Sequence, residues 1–278
     1  MIGAILGDII GSPYEFDRGS KTKDFPLFSG RSEFTDDTVM TVAVADALMQ
    51  FDKVSDLEAF KKVLIRTMHR YGKKYPRAGY GGHFRMWLRN EETEPYGSYG
   101  NGSAMRVSPV AWNANSLDEA LALAKASAEV THNHPEGVKG AVVTAGATYL
   151  ARTGATMAEI KEFVSGYYDM NFTLDEIRPI YYFNETCQHT VPQAMQAFFE
   201  STSFEDTIRN GISIGGDSDT LCAICGAVAE AYYGMTEQEK AVAMSYLDEP
   251  MREVVRMFSR TVQSATDISR GKNSHAVD

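Results

Sequence analysis

Most of the chain is built from short apolar runs whose positions repeat at helical spacing, separated by polar loops. Residues 2–12 predict a short apolar helix ending at Gly11, followed by a turn at Ser12-Pro13. Residues 17–34 are polar, with Gly, Ser and Pro, and predict a loop. From Thr38, the positions Val39, Val42, Ala43, Ala45, Leu48 and Met49 predict a buried helix, and a second spans about Asp56 to Tyr71. Gly72, Pro76, Gly79, Gly81 and Gly82 predict a flexible loop over 72–81. His83 to Arg89 reads as one or two helical turns, and 91–102 as an acidic, glycine-rich loop.

The second half is denser in helices. Leu117–Val130 is opened by Ser116, and Glu119 three residues on makes a capping box. Pro135 stands at the first turn of a helix running to about Arg152, where its missing N–H costs nothing. Thr156–Tyr167 follows, then a polar and aromatic segment over 168–188. Helices are expected at Pro192–Phe199, Phe204–Gly211, Thr220–Tyr233 and from about 236 to 265, with a frayed polar tail over 269–278. Period-2 strand patterns, internal repeats and low-complexity linkers are absent. The expectation is an all-α protein with a single multi-helix domain over 1–268.

Composition narrows the function. The 278 residues are 44% apolar and 23% charged, which suits a globular chain with a real core. A net charge of −10 argues against general nucleic-acid binding, which needs clustered Lys and Arg. Nucleotide phosphates, if bound, need local donors or metal ions. Three cysteines make no disulfide framework and suggest a reducing compartment. The N-terminal run lacks a basic flank and carries Asp8, unlike a secretory signal. No stretch reaches the roughly 18 apolar residues of a membrane span. A cytoplasmic protein without membrane attachment is expected.

Two motifs carry the candidate chemistry. Thr35-Asp36-Asp37-Thr38 sets adjacent carboxylates at the entrance of an apolar helix. One Asp could simply cap that helix; two repel, and only one can cap well. Gly215-Gly216-Asp217-Ser218-Asp219-Thr220 repeats the arrangement before a helix so apolar that its N-terminus should be buried too. Buried carboxylates are costly unless paired or metal-bound, and the nearest cations in sequence are Arg209 and Lys240. Four carboxylates with threonine hydroxyls suit Mg²⁺, Mn²⁺ or Ca²⁺ better than zinc, and two divalent ions would offset their charge.

A third run, Gly97-Ser98-Tyr99-Gly100-Asn101-Gly102, reads either as an ordinary glycine-rich turn or as a backbone cradle for an anion, with Tyr99 available to stack on a base or sugar. His132 is a candidate substrate hydrogen-bonder. Glu15 is either a surface residue or within reach of the acidic cluster. Cys222 and Cys225 read as core cysteines, and Ser103 lacks a partner base.

In this order, the segments Gly3-Ala4-Ile5-Leu6-Gly7-Asp8, Thr35-Asp36-Asp37-Thr38, Gly100-Asn101-Gly102-Ser103-Ala104-Met105-Arg106, Thr131-His132, Thr190-Val191-Pro192-Gln193-Ala194, Gly215-Gly216-Asp217-Ser218-Asp219-Thr220 and Ala231-Tyr232-Tyr233-Gly234 resemble the ADP-ribosylglycohydrolase family over most of the chain. The resemblance implies an orthogonal all-α fold and two Mg²⁺ or Mn²⁺ ions. It implies Thr35, Asp36 and Asp37 with Asp219 on one ion, and Asp217, Asp219 and Thr220 on the other, Asp219 bridging. It implies that Gly97 through Gly102, with His132 and Ser218, bind ADP-ribose or an ADP-ribosylated substrate, and that Glu15 closes over the second ion. Tyr99 and Glu15 resemble the serine-directed members; Val107-Ser108-Pro109 and Val191-Pro192-Gln193-Ala194 resemble bacterial members of unassigned substrate.

The implied reaction is hydrolysis at the anomeric carbon of the distal ribose, with Asp36 or Asp37 accepting the proton of a water and Glu15 assisting the leaving group. A catalytically silent ADP-ribose reader and a metal-dependent nucleotide pyrophosphohydrolase are the alternatives.

Overall fold

The computed structural model describes residues 1–51 and 56–273, with side chains up to residue 264. Helix α1 (Ile2–Gly11) runs into a 3-10 turn (Ser12–Tyr14), and a long loop leads to α2 (Asp36–Met49). Then come α3 (Leu57–Lys74), α4 (Gly82–Arg89), α5 (Gly102–Met105), α6 (Ser108–Asn113) and α7 (Leu117–Glu129). Next are α8 (Pro135–Arg152), α9 (Met157–Ser165), α10 (Leu174–Ile177), α11 (Val191–Phe199) and α12 (Phe204–Ser213). The chain closes with α13 (Ser218–Tyr233), α14 (Glu237–Tyr246) and α15 (Glu249–Asn273). Among the described residues there is no strand, only an isolated bridge between Gly100 and Thr186. No helix among the described residues is long and apolar enough to cross a membrane.

The fold is organised around α13. Every residue from Ser218 to Ala229 is buried, so over these turns the helix has no solvent face and is packed on all sides, as a stretch apolar all round must be; only its last four residues are partly exposed. Its tightest neighbour is α1. Gly3, Gly7 and Gly11 form a stripe against it, and a Cβ at Gly7 would lie 2.1 Å from the Cys222 carbonyl. At Gly11 it would lie 2.5 Å from the Ser218 carbonyl. Backbone touches backbone along α1, and this contact sets Asp8 beside the α13 N-terminus. Cys222 and Cys225 are buried free thiols, as expected of core residues.

Most helices fall where the pattern predicts them, with instructive differences at the ends. Helix α2 starts at Asp36, not Thr38, with Thr35 as its N-cap. Helix α3 continues to Lys74, into the expected 72–81 loop. Helices α5 and α6 occupy a stretch to which the pattern assigned no element; each is too short to show a period. The capping box at Ser116 is half formed: Ser116 Oγ accepts the Glu119 N–H at 3.1 Å, but the Glu119 carboxylate accepts from the Asn115 N–H at 3.0 Å. Complete boxes stand at Thr156, Thr173 and Thr236. Helix α15 runs through Asn273, past the Ser269 where a polar tail was expected; 274–278 lie outside the described residues.

Candidate active site

Two acidic helix mouths, distant in sequence, meet beside α1. At the first, Thr35 caps α2 by accepting the Asp37 N–H at 3.4 Å. The larger part of the capping comes from another helix. Asp8, fully buried on α1, accepts the Thr35 N–H at 2.9 Å and the Thr38 N–H at 3.1 Å. It also accepts the hydroxyls of Thr35 at 2.8 Å and Thr38 at 2.5 Å. Four donors at the positive end of a helix offset part of the cost of burying this carboxylate, and burial still raises it to about 6. Asp8 thus fixes the mouth of α2, and it takes up the Thr35 hydroxyl proton, while that oxygen accepts the Asp37 N–H.

The second mouth is built differently. Gly215 and Gly216 take left-handed backbone angles, φ +78° and +85°, and make the sharp turn into α13. A Cβ on Gly216 would lie 2.5 Å from the Tyr181 ring. Asp17 grips the turn, accepting the Gly216 N–H at 2.7 Å and the Phe183 N–H at 2.9 Å. Asp217 occupies the N-cap position but makes no side-chain cap. Its carboxylate instead accepts from the Asn101 side-chain amide at 2.6 Å. Thr220 Oγ1 donates to Asp37 at 3.3 Å and ties the two mouths together.

Between them lies a cavity of about 210 Å³. Glu15, Asp36, Asp37, Asp217, Asp219 and Thr220 line its floor; Ser98, Gly100, Asn101, Gly102 and His132 line the other side. The structure therefore gathers most of the sequence-expected site. Thr35, Gly97, Tyr99 and Ser218 do not line it. Thr35 stands behind Asp37, and Ser218 Oγ is turned to the Tyr14 carbonyl at 3.3 Å. Tyr99 is half exposed, its ring 5.3 Å from that of His134.

The glycine-rich run is not a continuous row of free N–H groups. Those of Gly97, Gly100 and Asn101 go to Asn133 Oδ1, Ser98 Oγ and the Glu185 carbonyl at 2.8, 3.1 and 2.8 Å. The run is pinned as a wall, with the α5 N-terminus behind it.

Burial sets the electrostatics. Asp36, Asp37 and Asp219 are all pushed well above the ordinary carboxylate range, first by burial; after that, Asp219 and then Asp8 raise Asp36 and Asp37, and Asp217 and then Asp8 raise Asp219. Glu15 is raised to about 8 by burial and by Asp219, with Arg18 pulling the other way. Asp217 is raised to about 7, chiefly by burial. Sequence neighbours suggested that cations are scarce here; space brings two nearer. Lys21 lies against Gly215, and Arg106, buried, lines the back of the cavity. Arg106 gives its N–H groups to the Ser127 carbonyl and Thr131 Oγ1, not to the acid cluster.

These residues fit divalent cations. Two sets of three carboxylates, Asp8-Asp37-Asp219 and Glu15-Asp217-Asp219, each bring ligand atoms within 4.8 Å of one another, and Asp219 belongs to both. Asp37 Oδ1 is buried without a hydrogen-bond partner. An orphaned carboxylate oxygen beside other raised carboxylates is what a hard, oxygen-preferring ion satisfies. Within the first set Asp8 is the poorest donor, since both its oxygens already accept protons.

Sequence reasoning passed over three residues here. Asp8 had a signal, a lone carboxylate inside an apolar helix. Asp17 had none, and Arg106 appeared only as the end of the Gly100–Arg106 segment with no role assigned, because their partners lie far along the chain.

Fold and site together define an all-helical protein with a carboxylate-floored ligand cavity. The chain belongs to the ADP-ribosylglycohydrolase family, whose profile it matches over residues 1–256. It is 29% identical to the ADP-ribosylhydrolase ARH3 of Homo sapiens, the alignment covering 85% of each chain. It is 28% identical to the ADP-ribosylarginine hydrolase Tri1 of Pseudomonas putida, over 85% of this chain and 70% of that one. A solved ADP-ribosylglycohydrolase-related protein complex superposes with a TM-score of 0.66 at 22% identity, covering 94% of this chain and 97% of that one, and so shares the fold.

Proposed function

We propose that the protein is a binuclear metal-dependent ADP-ribosyl hydrolase that cleaves the glycosidic bond at the anomeric carbon of the distal ribose. The observation that carries this reading is Asp219, shared by two carboxylate sets on the floor of one cavity in a chain of this family. Thr35, Asp36, Asp37 and Asp219 would hold one Mg²⁺ or Mn²⁺; Asp217, Asp219, Thr220 and Glu15 would hold the other. Bound ions supply charge to orient the ribose hydroxyls and to acidify a water.

The chain's own groups do the rest. Asp36, at the cavity edge beside Gly79, or Asp37 accepts the proton of the attacking water. The surrounding carboxylates stabilise positive charge developing on the sugar. Glu15 follows the 3-10 turn after α1, half-buried over the floor, and assists the leaving group. Ser98, Asn101, Gly102 and His132 provide the wall against which the ADP part rests. Three free, buried thiols support a reducing, cytoplasmic setting.

The test is a panel of ADP-ribosylated serine, arginine, acetyl and polymer substrates with Mg²⁺ and with Mn²⁺, products identified by mass. Free ADP-ribose is expected. AMP would mean pyrophosphate cleavage, and binding without turnover a reader.

A further inference from the structure

Behind the glycine wall, three buried side chains form a hydrogen-bonded line that ends in the cavity. Arg106 is 1% exposed, Thr131 0% and His132 5%. An Arg106 N–H donates to Thr131 Oγ1 at 2.9 Å, and Thr131 Oγ1 lies 2.8 Å from His132 Nδ1. The same guanidinium donates at 3.0 Å to the Ser127 carbonyl, at the negative end of α7, where a cation belongs. Arg106 has no carboxylate partner among the described residues; its charge rests on that helix end.

The proton count along this line has one satisfied solution. Arginine only donates, so Thr131 Oγ1 accepts from it. The threonine hydroxyl has one proton and, among the described residues, no acceptor other than His132 Nδ1. It therefore donates to Nδ1, which must be bare. A neutral imidazole with a bare Nδ1 carries its proton on Nε2. The alternative, a protonated Nδ1 facing Thr131, strands the hydroxyl proton in a buried site. Nε2 has no partner among the described residues, and it points along the cavity wall: a Cβ at Gly102 would lie 3.1 Å from it and one at Gly100 3.6 Å.

We propose that Arg106 and Thr131 are positioning residues that lock His132 as a neutral Nε2–H donor aimed into the cavity, so that it can recognise only an acceptor oxygen on the ligand. Resting on the proposed function, that ligand is ADP-ribose and the acceptor is an oxygen of it. Burial and the neighbouring guanidinium both oppose a second proton on the ring, holding His132 well below its usual range. Arg106 thus acts through His132 and not as a direct partner of the ligand. Gly100 and Gly102 leave the space through which the N–H is presented.

The experiment uses the full-length protein with ¹⁵N-labelled histidine. Two-bond ¹H–¹⁵N spectra of the ligand-free wild type should show His132 with Nε2 protonated and Nδ1 bare. In Thr131→Val, nearly isosteric and lacking the hydroxyl, that tautomer preference should be lost. ADP-ribose affinity, read by calorimetry, should fall by about tenfold or more, while Mn²⁺ affinity and stoichiometry stay at wild-type values. Thr131→Ser should restore both the tautomer and the affinity. A wild-type His132 with protonated Nδ1, or a Thr131→Val protein that keeps tautomer and affinity, overturns the proposal. The spectrum is independent of ligand: a correct tautomer in a protein that binds no ADP-ribose supports the lock and sinks the proposed function instead.

Discussion

The two acidic helix mouths read alike along the chain and are built on opposite principles. At α2 the backbone donors are satisfied by protein: Thr35 caps locally and Asp8 reaches across from α1 with four hydrogen bonds. At α13 the N-cap residue Asp217 caps nothing and turns its carboxylate to Asn101 and the cavity. The first mouth is a structural joint that also brings Asp36 and Asp37 to the cavity. The second leaves its local capping undone in favour of the site. Their difference teaches that an Asp at a helix entrance has two uses, and that metal-free stability should fall on mutation at the first mouth but hold or rise at the second, while metal binding weakens at both.

The largest effect is expected where the mouths meet. Asp219→Asn removes the group common to both carboxylate sets, and kcat/KM should fall by about a thousandfold or more, given the several kcal/mol that metal-stabilised charge contributes. Calorimetric titration with Mn²⁺ should show fewer than two ions per chain. Two ions bound at wild-type affinity would refute the shared position.

The comparison is sharpened by Asp8→Asn against Asp217→Asn. The first puts an amide among four donors in a fully buried site and should cost roughly 2–4 kcal/mol of stability. It should also weaken metal binding by about 10–100-fold through the misplaced Thr35. Asp217→Asn removes charge from a crowded acidic floor; metal affinity should collapse while metal-free stability holds or rises. Chemical denaturation of both chelated proteins measures this, and equal losses would break the distinction.

Chelation has its own signature. The carboxylate pKa values are raised in the metal-free fold, Glu15 to about 8 and Asp217 to about 7. The native state then holds more protons than the unfolded chain from about pH 4, the unfolded carboxylate range, to about pH 8, so its stability must fall as pH rises through that window. Thermal melts in chelator should drop between pH 6 and 8. Saturating Mn²⁺ or Mg²⁺ at a hundred times Kd should add roughly 5–10 °C per site. A chelated protein that melts higher at pH 8 than at pH 6 contradicts the raised values.

The smallest effect is expected at Tyr99. Half exposed and outside the cavity lining, it can only stack on the far part of the ligand. Tyr99→Ala should raise KM about two- to tenfold and leave kcat in place.

What was legible in the sequence was local. Apolar spacing located most of the long helices, and an apolar run with no polar face announced that α13 is buried. Paired carboxylates at two such entrances pointed to one oxygen-rich site, because isolated buried charge is too costly to leave uncompensated. The polar positions of α5 and α6, and the true start of α2, were not legible, since a helix of one turn shows no period and a cap is defined by hydrogen bonds rather than residue type.

Only the tertiary structure decided which acid does what. Asp8 accepts its protons from residues 27 and 30 positions away, and no spacing rule reaches that far. Asp17 and Arg106 find partners at 199 and 25 positions. The close approach of α1 to α13, allowed by glycines that leave no room for a Cβ, turns two similar motifs into one cavity with a shared Asp219. Chemistry at a helix mouth is written in residue type, but whether a carboxylate serves as cap or ligand depends on which donors the fold has already spent on it.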